Sequence, residues 1–440
     1  MSAEALAYNA GLHDKSAKLA HFLAAKVSAK FAYFEGIGWH KWTGTVWTPD
    51  QPALEKELYE VIREAKKWDA PAAKSGETAA GFTGTLRLAQ PLMHVYADQV
   101  DSIPYLLNTP EGTIDLRTME VRPHGQEDYI TKCTRGSFNM KASMEVTARF
   151  MREVLPDDDE RKYVQQLFGL ALLGEIHERI LPIFWGAGFN GKSTVLEAIL
   201  YAMGTYGVKI SSNTLIAHRG DRHTTELTDL RGARLAIASE TGTGQEFNTA
   251  LVKDLTTAGT MSARRIRHDN VTWQKSHTVF VDTNHLPRVD GNDKAMFDRV
   301  RVVEFGQDFT ERKDTTLAQK LEHEADAFIT WAARGLQDYQ ANGLMTPASI
   351  VRNTSEYQES ADLIGQWLNE KTVQDSAECT PCGELYDSYR YWCDSSHEPA
   401  SNRADFYTSL ERRNYRRTKY AGVRSFKGLA LQTAPTSRAA

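Results

Sequence analysis

The 440-residue sequence lacks the features of secreted and membrane-spanning proteins. Its four cysteines are too few and too unevenly spread to form a disulfide framework. No apolar run reaches the roughly eighteen residues that a transmembrane helix requires. Residues 1–30 also lack the apolar core that is typical of a signal peptide. We therefore expect a cytoplasmic protein with no membrane partner.

A strong excess of one charge is also absent. The 52 Lys and Arg residues stand against 57 Asp and Glu residues, which gives a net charge of −5. Any nucleic-acid interface must therefore be a local basic patch rather than a property of the whole chain. The length is sufficient for about two to four domains, each with its own core.

What the sequence does contain is a phosphate-binding pattern near its centre. Residues 186–193 read G-A-G-F-N-G-K-S, which fits G-x-x-x-x-G-K-[ST]. An apolar run at 180–185 predicts a strand before the pattern, and apolar residues at helical spacing predict a helix after it. Glycines let backbone N–H groups surround phosphate oxygens, so we predict that Lys192 contacts the phosphates of ATP and that Ser193 binds Mg²⁺. The predicted nucleotide contacts are Gly186, Gly188, Asn190, Gly191, Lys192, Ser193 and Thr194.

Polar residues follow two more predicted strands downstream. The run Leu235–Ala238 ends in Ser239-Glu240, and the run Thr278–Asp282 is followed closely by Asn284. In P-loop proteins, a carboxylate at the end of a neighbouring strand faces the metal and the attacking water. We predict that Glu240 contacts Mg²⁺ and activates water, and that Asn284 senses the γ-phosphate and orients water.

Basic residues form two further patterns. Residues 261–267 and 271–275 predict the strands of a hairpin. Its basic end suits a phosphate backbone, and a solvated face is the alternative interpretation. The basic residues of this hairpin are Arg264, Arg265, Arg267 and His268. Residues 297–305 predict a strand containing Arg299 and Arg301, either of which could reach a neighbouring subunit's nucleotide and stabilise transition-state charge.

In this order, the motifs resemble the superfamily 3 helicases of the phage and plasmid primase type, related to the poxvirus primase-helicase. The family commonly has W-R-R-x-R where this chain has F-D-R-V-R, which makes Arg299 the first arginine-finger candidate and Arg301 the second. Residues 108–116 resemble the domain that commonly precedes this ATPase. The other matching segments are 188–194 (Walker A), 231–240 (Walker B), 262–265 (start of the hairpin) and 283–287, T-N-H-L-P (sensor 1), which is the most specific of them.

The resemblance implies an α/β fold with three domains. These are an α+β N-terminal domain (1–150), an AAA+-like P-loop ATPase domain (151–345) and a winged-helix-like DNA-binding domain (346–440). It also implies use of ATP and Mg²⁺, a hexameric ring with ATP sites between subunits, and 3′→5′ movement on single-stranded and forked DNA. A phage, plasmid or mobile element in a bacterial cell would encode such a helicase. We expect no primer synthesis, because the sequence upstream has no room for a primase domain.

Two alternatives remain open at this stage. The chain could be an ATP-dependent origin-binding initiator or loader that does not unwind DNA processively. It could instead be an ATPase module that assembles with a separate primase or with host replication proteins.

The last hundred residues predict a long helix at 348–371, then two shorter helices and a β-ribbon, an order found in winged helices. Their excess of basic residues fits DNA contact, with a subunit or partner contact as the alternative. The predicted DNA contacts are Arg403, Arg412, Arg413, Arg416 and Arg417. Cys379, Cys382, Cys393 and His397 have a spacing that zinc tolerates, but Cys393 lies in an apolar helical pattern, so we do not predict a zinc site. Earlier in the chain, residues 69–77 predict a loop.

Overall fold

The computed structural model describes residues 12–217, 224–239, 242, 244–263, 271–289, 291 and 293–432. The amino-terminal elements are α1 (Lys15–Val27), β1 (Phe31–Phe34), β2 (Gly38–Trp42), β3 (Trp47–Pro49), α2 (Gln51–Ala65), α3 (Ala70–Gly76), α4 (Ala79–Ala89) and β4 (His94–Val95). The strands form a sheet in the order β3-β2-β1-β4. Leu54, Leu58 and Val61 recur at helical spacing and are completely buried, which gives α2 one apolar face against the other helices.

Helix α3 occupies the segment for which the sequence predicts a loop, so that prediction is wrong. Asp69 is the N-cap residue, and its carboxylate accepts a hydrogen bond from the Ala72 N–H at 2.9 Å. Pro71 lies in the first turn, where a missing N–H leaves no hydrogen bond unmade. The Asp-x-Pro sequence therefore begins a helix here rather than a turn.

A small antiparallel sheet joins this part to the centre of the molecule. It consists of β5 (Leu106–Thr109), β6 (Gly112–Asp115) and β7 (Glu120–Arg122), and is followed by α5 (Glu145–Val154) and α6 (Asp158–Leu170). Leu107 and Ile114 of the sheet are completely buried in the same core as Leu167 of α6. The domain boundary at residue 150 remains a prediction, and residues on both sides of it share this core.

The central part is built on a parallel sheet. Its elements are β8 (Leu181–Trp185), α7 (Lys192–Met203), β9 (Gly207–Ser211), α8 (Ser212–Leu215), β10 (Leu235–Ser239), α9 (Thr249–Leu255), β11 (Thr260–Ala263), β12 (Val271–Gln274), β13 (Thr278–Thr283), α10 (Lys294–Phe297) and β14 (Val300–Glu304). Five strands pair in parallel in the order β14-β8-β13-β10-β9. Ile183 and Phe184 of β8 belong to different cores, so both faces of the sheet are buried. The predicted α/β fold is confirmed at this level.

The carboxyl-terminal part follows three further helices and has a core of its own. Its sheet is antiparallel, in the order β15-β17-β16, and Trp367, Leu385 and Phe406 are completely buried against it. The elements are α11 (Leu317–His323), α12 (Ala325–Asn342), α13 (Ala348–Ala361), α14 (Leu363–Lys371), β15 (Thr372–Pro381), α15 (Cys382–Ser395), α16 (Arg403–Arg412), β16 (Arg416–Tyr420) and β17 (Val423–Leu431). Short 3₁₀ helices occur at Gln90–Met93, Gln126–Asp128, Gly204–Tyr206 and Thr224–Leu230.

The prediction of a single long helix at 348–371 is wrong, because the helical segment is interrupted at Asp362, which separates α13 from α14. The Asp362 carboxylate accepts a hydrogen bond from the Gly365 N–H at 2.9 Å and so caps the start of α14. It also accepts a hydrogen bond from Arg413 of the carboxyl-terminal part. Within the described part of the chain, no helix has the length and apolar character needed to cross a membrane.

Candidate functional site

The loop between β8 and α7 has a backbone shape that requires glycine. Gly191 has φ +84°, and a Cβ atom added there would lie 2.4 Å from the Cγ1 atom of Val154. Gly186 has φ +150°, and a Cβ atom there would lie 2.4 Å from the Phe305 carbonyl oxygen. The buried Asn190 amide donates to that same carbonyl oxygen at 2.9 Å. The loop is therefore held between α5 and the end of β14, with its backbone fixed at the start of α7.

Replacing Gly191 by Ala should destabilise the protein by roughly 1–3 kcal/mol, because the new Cβ would combine backbone strain with overpacking against Val154. Gly188→Ala is the matched control, since a Cβ atom added there would have no neighbour within 4 Å and the φ of Gly188 is not positive. Thermal unfolding without nucleotide measures both variants. Equal melting temperatures for the two variants would contradict this description of the loop.

The side chains at the start of α7 contact the end of strand β13. The Lys192 ammonium donates a hydrogen bond to Asn284 Oδ1 at 2.7 Å and lies 3.7 Å from Asp282 Oδ1. The Ser193 hydroxyl donates to Asp282 Oδ2 at 2.8 Å. The structure thus brings together three predicted site residues, Lys192, Ser193 and Asn284. It adds Asp282, which sequence reasoning treated only as the end of an apolar strand.

Burial makes these contacts electrostatically significant. The Lys192 side chain is 4% exposed and that of Asp282 is 9% exposed, so each charge needs its partner. Ser193 and Asn284 are exposed, which leaves the site open to solvent on one side. An ammonium group, a hydroxyl and a glycine-rich backbone at one helix start are suited to phosphate. The oxygen ligands available, Ser193 and Asp282, are of the hard type that Mg²⁺ prefers, so the residues present fit this ion.

Strand β10 ends at the same edge of the sheet, one strand further from the P-loop. Ser239 is its last residue and lies opposite Asp282 in the parallel register. Glu240, the predicted contact of Mg²⁺ and water, lies outside the described residues. Its role therefore remains a prediction, and within the described residues the carboxylate at the P-loop belongs to Asp282.

The two arginine-finger candidates lie near the start of β14. Arg299 lies in the turn before the strand, because β14 begins only at Val300. Its Nε atom donates to the Thr256 hydroxyl at 3.1 Å, and one Nη atom donates to the Thr257 hydroxyl at 3.2 Å. Arg301 donates to the Asp298 and Val300 carbonyl oxygens at 3.0 and 2.7 Å. Neither guanidinium contacts the P-loop of its own chain in these hydrogen bonds.

The described residues include the base of the predicted hairpin, where its two strands pair. Thr260–Ala263 pairs antiparallel with Val271–Gln274, and the Ser262 and Thr272 hydroxyls are 2.6 Å apart. Next to the base, the buried Lys275 ammonium donates to the Asp254 carboxylate at 2.7 Å and so ties the hairpin to α9. Arg264, Arg265, Arg267 and His268 lie outside the described residues, so their contact with DNA remains a prediction.

The segment after Asn284 is held by the helices that lead to the carboxyl-terminal part. The Tyr357 hydroxyl of α13 donates to the Pro287 carbonyl oxygen. Arg288 pairs with Glu398, beyond α15, at 3.2 Å. The strand end that contacts Lys192 is therefore linked, through one loop, to the carboxyl-terminal elements.

The predicted DNA contacts in the carboxyl-terminal part do not share one environment. Arg403 is exposed and its guanidinium lies 4.9 Å from the centre of the Tyr386 ring. Arg412 and Arg416 are exposed, and Arg417 pairs with Glu411 at 3.1 Å. Arg413, by contrast, is directed inward to Asp362, which makes it a link between α14 and α16 rather than a surface contact.

The cysteines give no sign of a metal site. Cys382 and Cys393 are buried, and Cys379 lies on β15. Burial raises the pKa of the Cys393 thiol and of the Cys382 thiol, which favours the neutral form of both. Across the described ranges, no group of three or more His, Cys, Asp or Glu side chains is arranged to hold a metal ion.

Comparison with known proteins finds two matching families and several viral relatives. Residues 20–156 match the family described as D5 N terminal like, and residues 184–299 match a family of unknown function, DUF5906. The chain is 23% identical over 324 residues to "Putative helicase L207/L206" of Acanthamoeba polyphaga mimivirus, a match that covers 68% of this chain and 34% of that protein. It is 21% identical over 340 residues to "Putative primase C962R" of African swine fever virus (strain Badajoz 1971 Vero-adapted), covering 70% of this chain and 35% of that protein.

The matched region thus spans about a third of the length of these relatives. Among solved structures, the apo C terminal region of NrS-1 is similar, with a TM-score of 0.54 at 11% identity. That match covers 95% of this chain and all of that one, and it supports the fold alone. The resemblance inferred from the sequence is confirmed at this level: the chain is similar to viral proteins named putative helicase and putative primase, and its residues 20–156 match the D5 N terminal like family.

Proposed function

We propose that the chain is an ATP-driven DNA helicase that acts in replication as a ring of identical subunits. The observation that supports this most strongly is the contact of Lys192 and Ser193 with Asn284 and Asp282 at the carboxyl ends of parallel strands. Ligands of open α/β sheets bind at this edge, and the glycine-rich loop at the start of α7 suits a triphosphate. The parallel strand order, with the P-loop strand beside the Asn284 strand, supports the AAA+-like assignment.

Entry of ATP would change the partners of these side chains. Lys192 would exchange Asn284 for the β- and γ-phosphates, which frees the Asn284 amide to contact the γ-phosphate and orient water. Mg²⁺ held beside Ser193 would neutralise charge on the phosphate oxygens. The loop after Asn284 is held by Tyr357 and by the Arg288–Glu398 pair. A movement of this loop would therefore be transmitted to the carboxyl-terminal part. ATP hydrolysis that increases on addition of single-stranded DNA is the test of this function.

The ring assignment leads to a prediction for Arg299. If Arg299 completes the neighbour's site, then Lys192→Ala and Arg299→Ala chains should each be inactive alone. A mixture in equal amounts should recover about a quarter of the wild-type ATPase rate, the fraction of interfaces in which both residues are intact. Steady-state ATPase after subunit exchange measures this.

Two controls accompany the mixing experiment. Arg301→Ala tests the second candidate in the same way. Melting temperatures show whether loss of the Thr256 and Thr257 contacts unfolds the Arg299 variant. Wild-type activity of Arg299→Ala alone would remove the arginine-finger role from this residue.

The carboxyl-terminal part has the element order of a winged helix. Helix α14 and strand β15 precede α15 and α16, and the ribbon β16–β17 follows as the wing. Strands β16 and β17 contain five basic residues and no acidic one. In their register, Arg416 lies opposite Lys427 and Lys419 lies opposite Arg424. Like charges placed directly opposite are destabilising. A polyanion such as duplex DNA would neutralise the repulsion between these basic side chains.

Removing one of these pairs should therefore have two opposite effects. In the double variant Lys419→Ala/Arg424→Ala, affinity for duplex DNA should fall, and the slope of log K against log salt should decrease by about 2. The melting temperature should stay the same or rise, since the repulsion is removed. Arg149→Ala/Arg352→Ala removes two exposed charges elsewhere and serves as the control. An unchanged salt slope in the ribbon variant would exclude this surface as a phosphate contact.

A further inference from the structure

We propose that Asp282, on the strand beside the P-loop, supplies the carboxylate that holds Mg²⁺ in the nucleotide site. The sequence pattern assigns such a role to Glu240, at the end of the next strand. The inference rests on the proposed function as an ATPase. Three observations support it: the contact of Asp282 with Ser193, its proximity to Lys192, and its burial.

The position of Asp282 follows from the order of the strands. Strand β13 pairs directly with the P-loop strand β8, whereas β10 lies one strand further out. Ser239 is opposite Asp282 in register, so at this level of the sheet β10 offers a hydroxyl and β13 offers a carboxylate. Residues paired in neighbouring strands lie on the same face of a sheet. The two side chains therefore lie on one face of the sheet, and the Asp282 carboxylate is the one that contacts Ser193 of the P-loop helix.

The chemistry of Mg²⁺ suits this arrangement. The ion usually keeps several of its waters and is held by one or two carboxylates together with phosphate oxygens. A carboxylate oxygen 2.8 Å from the Ser193 hydroxyl would accept hydrogen bonds from water molecules on a metal that this hydroxyl binds.

Charge balance explains why the burial of Asp282 and its proximity to Lys192 favour a metal at this position. The Asp282 side chain is 9% exposed, and a buried carboxylate is costly without a cation beside it. Lys192, 3.7 Å away, is the cation that the site itself provides. When Lys192 turns to the phosphates, Asp282 loses this partner. A divalent cation beside Ser193 restores the balance, so Lys192 and the metal would replace each other as the counter-charge of Asp282.

Binding of a fluorescent ATP analogue, measured once with Mg²⁺ and once with EDTA, tests the proposal without reference to turnover. The wild-type protein should bind the analogue more tightly with Mg²⁺. In Asp282→Asn, the affinity measured with EDTA should stay within about threefold of the wild-type value. The affinity measured with Mg²⁺ should fall roughly 10- to 100-fold. The relocation variant Ser239→Asp/Asp282→Ser, which returns the carboxylate to β10, should recover part of that lost affinity.

The alternative is that Asp282 only orients Lys192 and Ser193. In that case Asp282→Asn would weaken metal-free binding and leave the gain from Mg²⁺ unchanged, which would overturn the proposal. Asp282→Ser provides a second variant if the Asn variant unfolds: an unchanged Mg²⁺ gain after loss of the carboxylate would also contradict the proposal. Failure of the wild-type protein to bind the analogue in either buffer would instead refute the nucleotide site itself.

Discussion

Lys192→Ala should lower the rate of ATP hydrolysis by about a hundredfold or more, because it removes the ammonium group that we propose contacts the phosphates. In the structure this ammonium is 2.7 Å from Asn284 and is almost completely buried, so it is held at the site before any ligand enters. Steady-state release of phosphate from ATP is the measurement.

The control for this variant must separate lost chemistry from lost folding. Lys209→Ala removes a half-exposed lysine of β9 that pairs with Glu197 of α7 at the surface, so it should leave ATPase unchanged. Melting temperatures of both variants should be compared, since Asp282 loses its cation in Lys192→Ala. Normal turnover by a folded Lys192→Ala protein would refute the P-loop assignment.

The double variant Arg267→Ala/His268→Ala should keep basal ATPase activity but lose strand separation. The reason is that the contacts described at the hairpin base, the pairing of Thr260–Ala263 with Val271–Gln274 and the contact of their hydroxyl groups, do not involve Lys192 or Ser193. Basic side chains at the hairpin end would follow the phosphate backbone of a single strand, and without them hydrolysis would no longer move DNA. A strand-displacement assay and an ATPase assay on the same preparation measure the two effects.

A matched control for the hairpin is Ser262→Ala/Thr272→Ala. It removes the hydroxyl contact at the hairpin base while keeping the basic residues. This variant should retain unwinding if the charge of the hairpin end is what matters. Unchanged unwinding by Arg267→Ala/His268→Ala would remove the hairpin from the mechanism.

Much of the central site can be predicted from sequence because its signals are local. The glycine pattern, the apolar runs of β8, β10 and β13, and the polar residues that follow them are each visible in a few consecutive residues. Parallel strands share one functional edge, so a strand prediction and its next polar residue place a side chain at the site. Lys192, Ser193 and Asn284 were predicted in this way, and the structure brings them together.

Asp282 was missed because its importance depends on the order of strands in the sheet. A carboxylate at the end of an apolar run contacts the P-loop only if its strand lies beside β8, and sequence does not state that β13 rather than β10 occupies this place. The contact of Arg413 with Asp362 was not predicted for a similar reason. Its position in a basic run suggested DNA, whereas the fold brings it to Asp362, fifty-one residues away in sequence.

The local errors have a different cause, since one residue type can serve two structures. Asp is common both in turns and at helix N-caps. At Asp69 it begins a helix in a segment predicted to be a loop, and at Asp362 it divides a segment predicted to be one helix. In both places the sequence indicates that the Asp side chain accepts a hydrogen bond from a nearby backbone N–H. It does not indicate whether that hydrogen bond stabilises a turn or the start of a helix.

The most direct test of the proposed function is strand displacement on duplexes with a 3′ or a 5′ single-stranded tail, with ATP and with Lys192→Ala as the control. We predict displacement of the 3′-tailed substrate only, and none by the variant. ATP hydrolysis without displacement of either substrate would contradict the helicase assignment and would favour an initiator or loader that uses ATP to assemble on DNA.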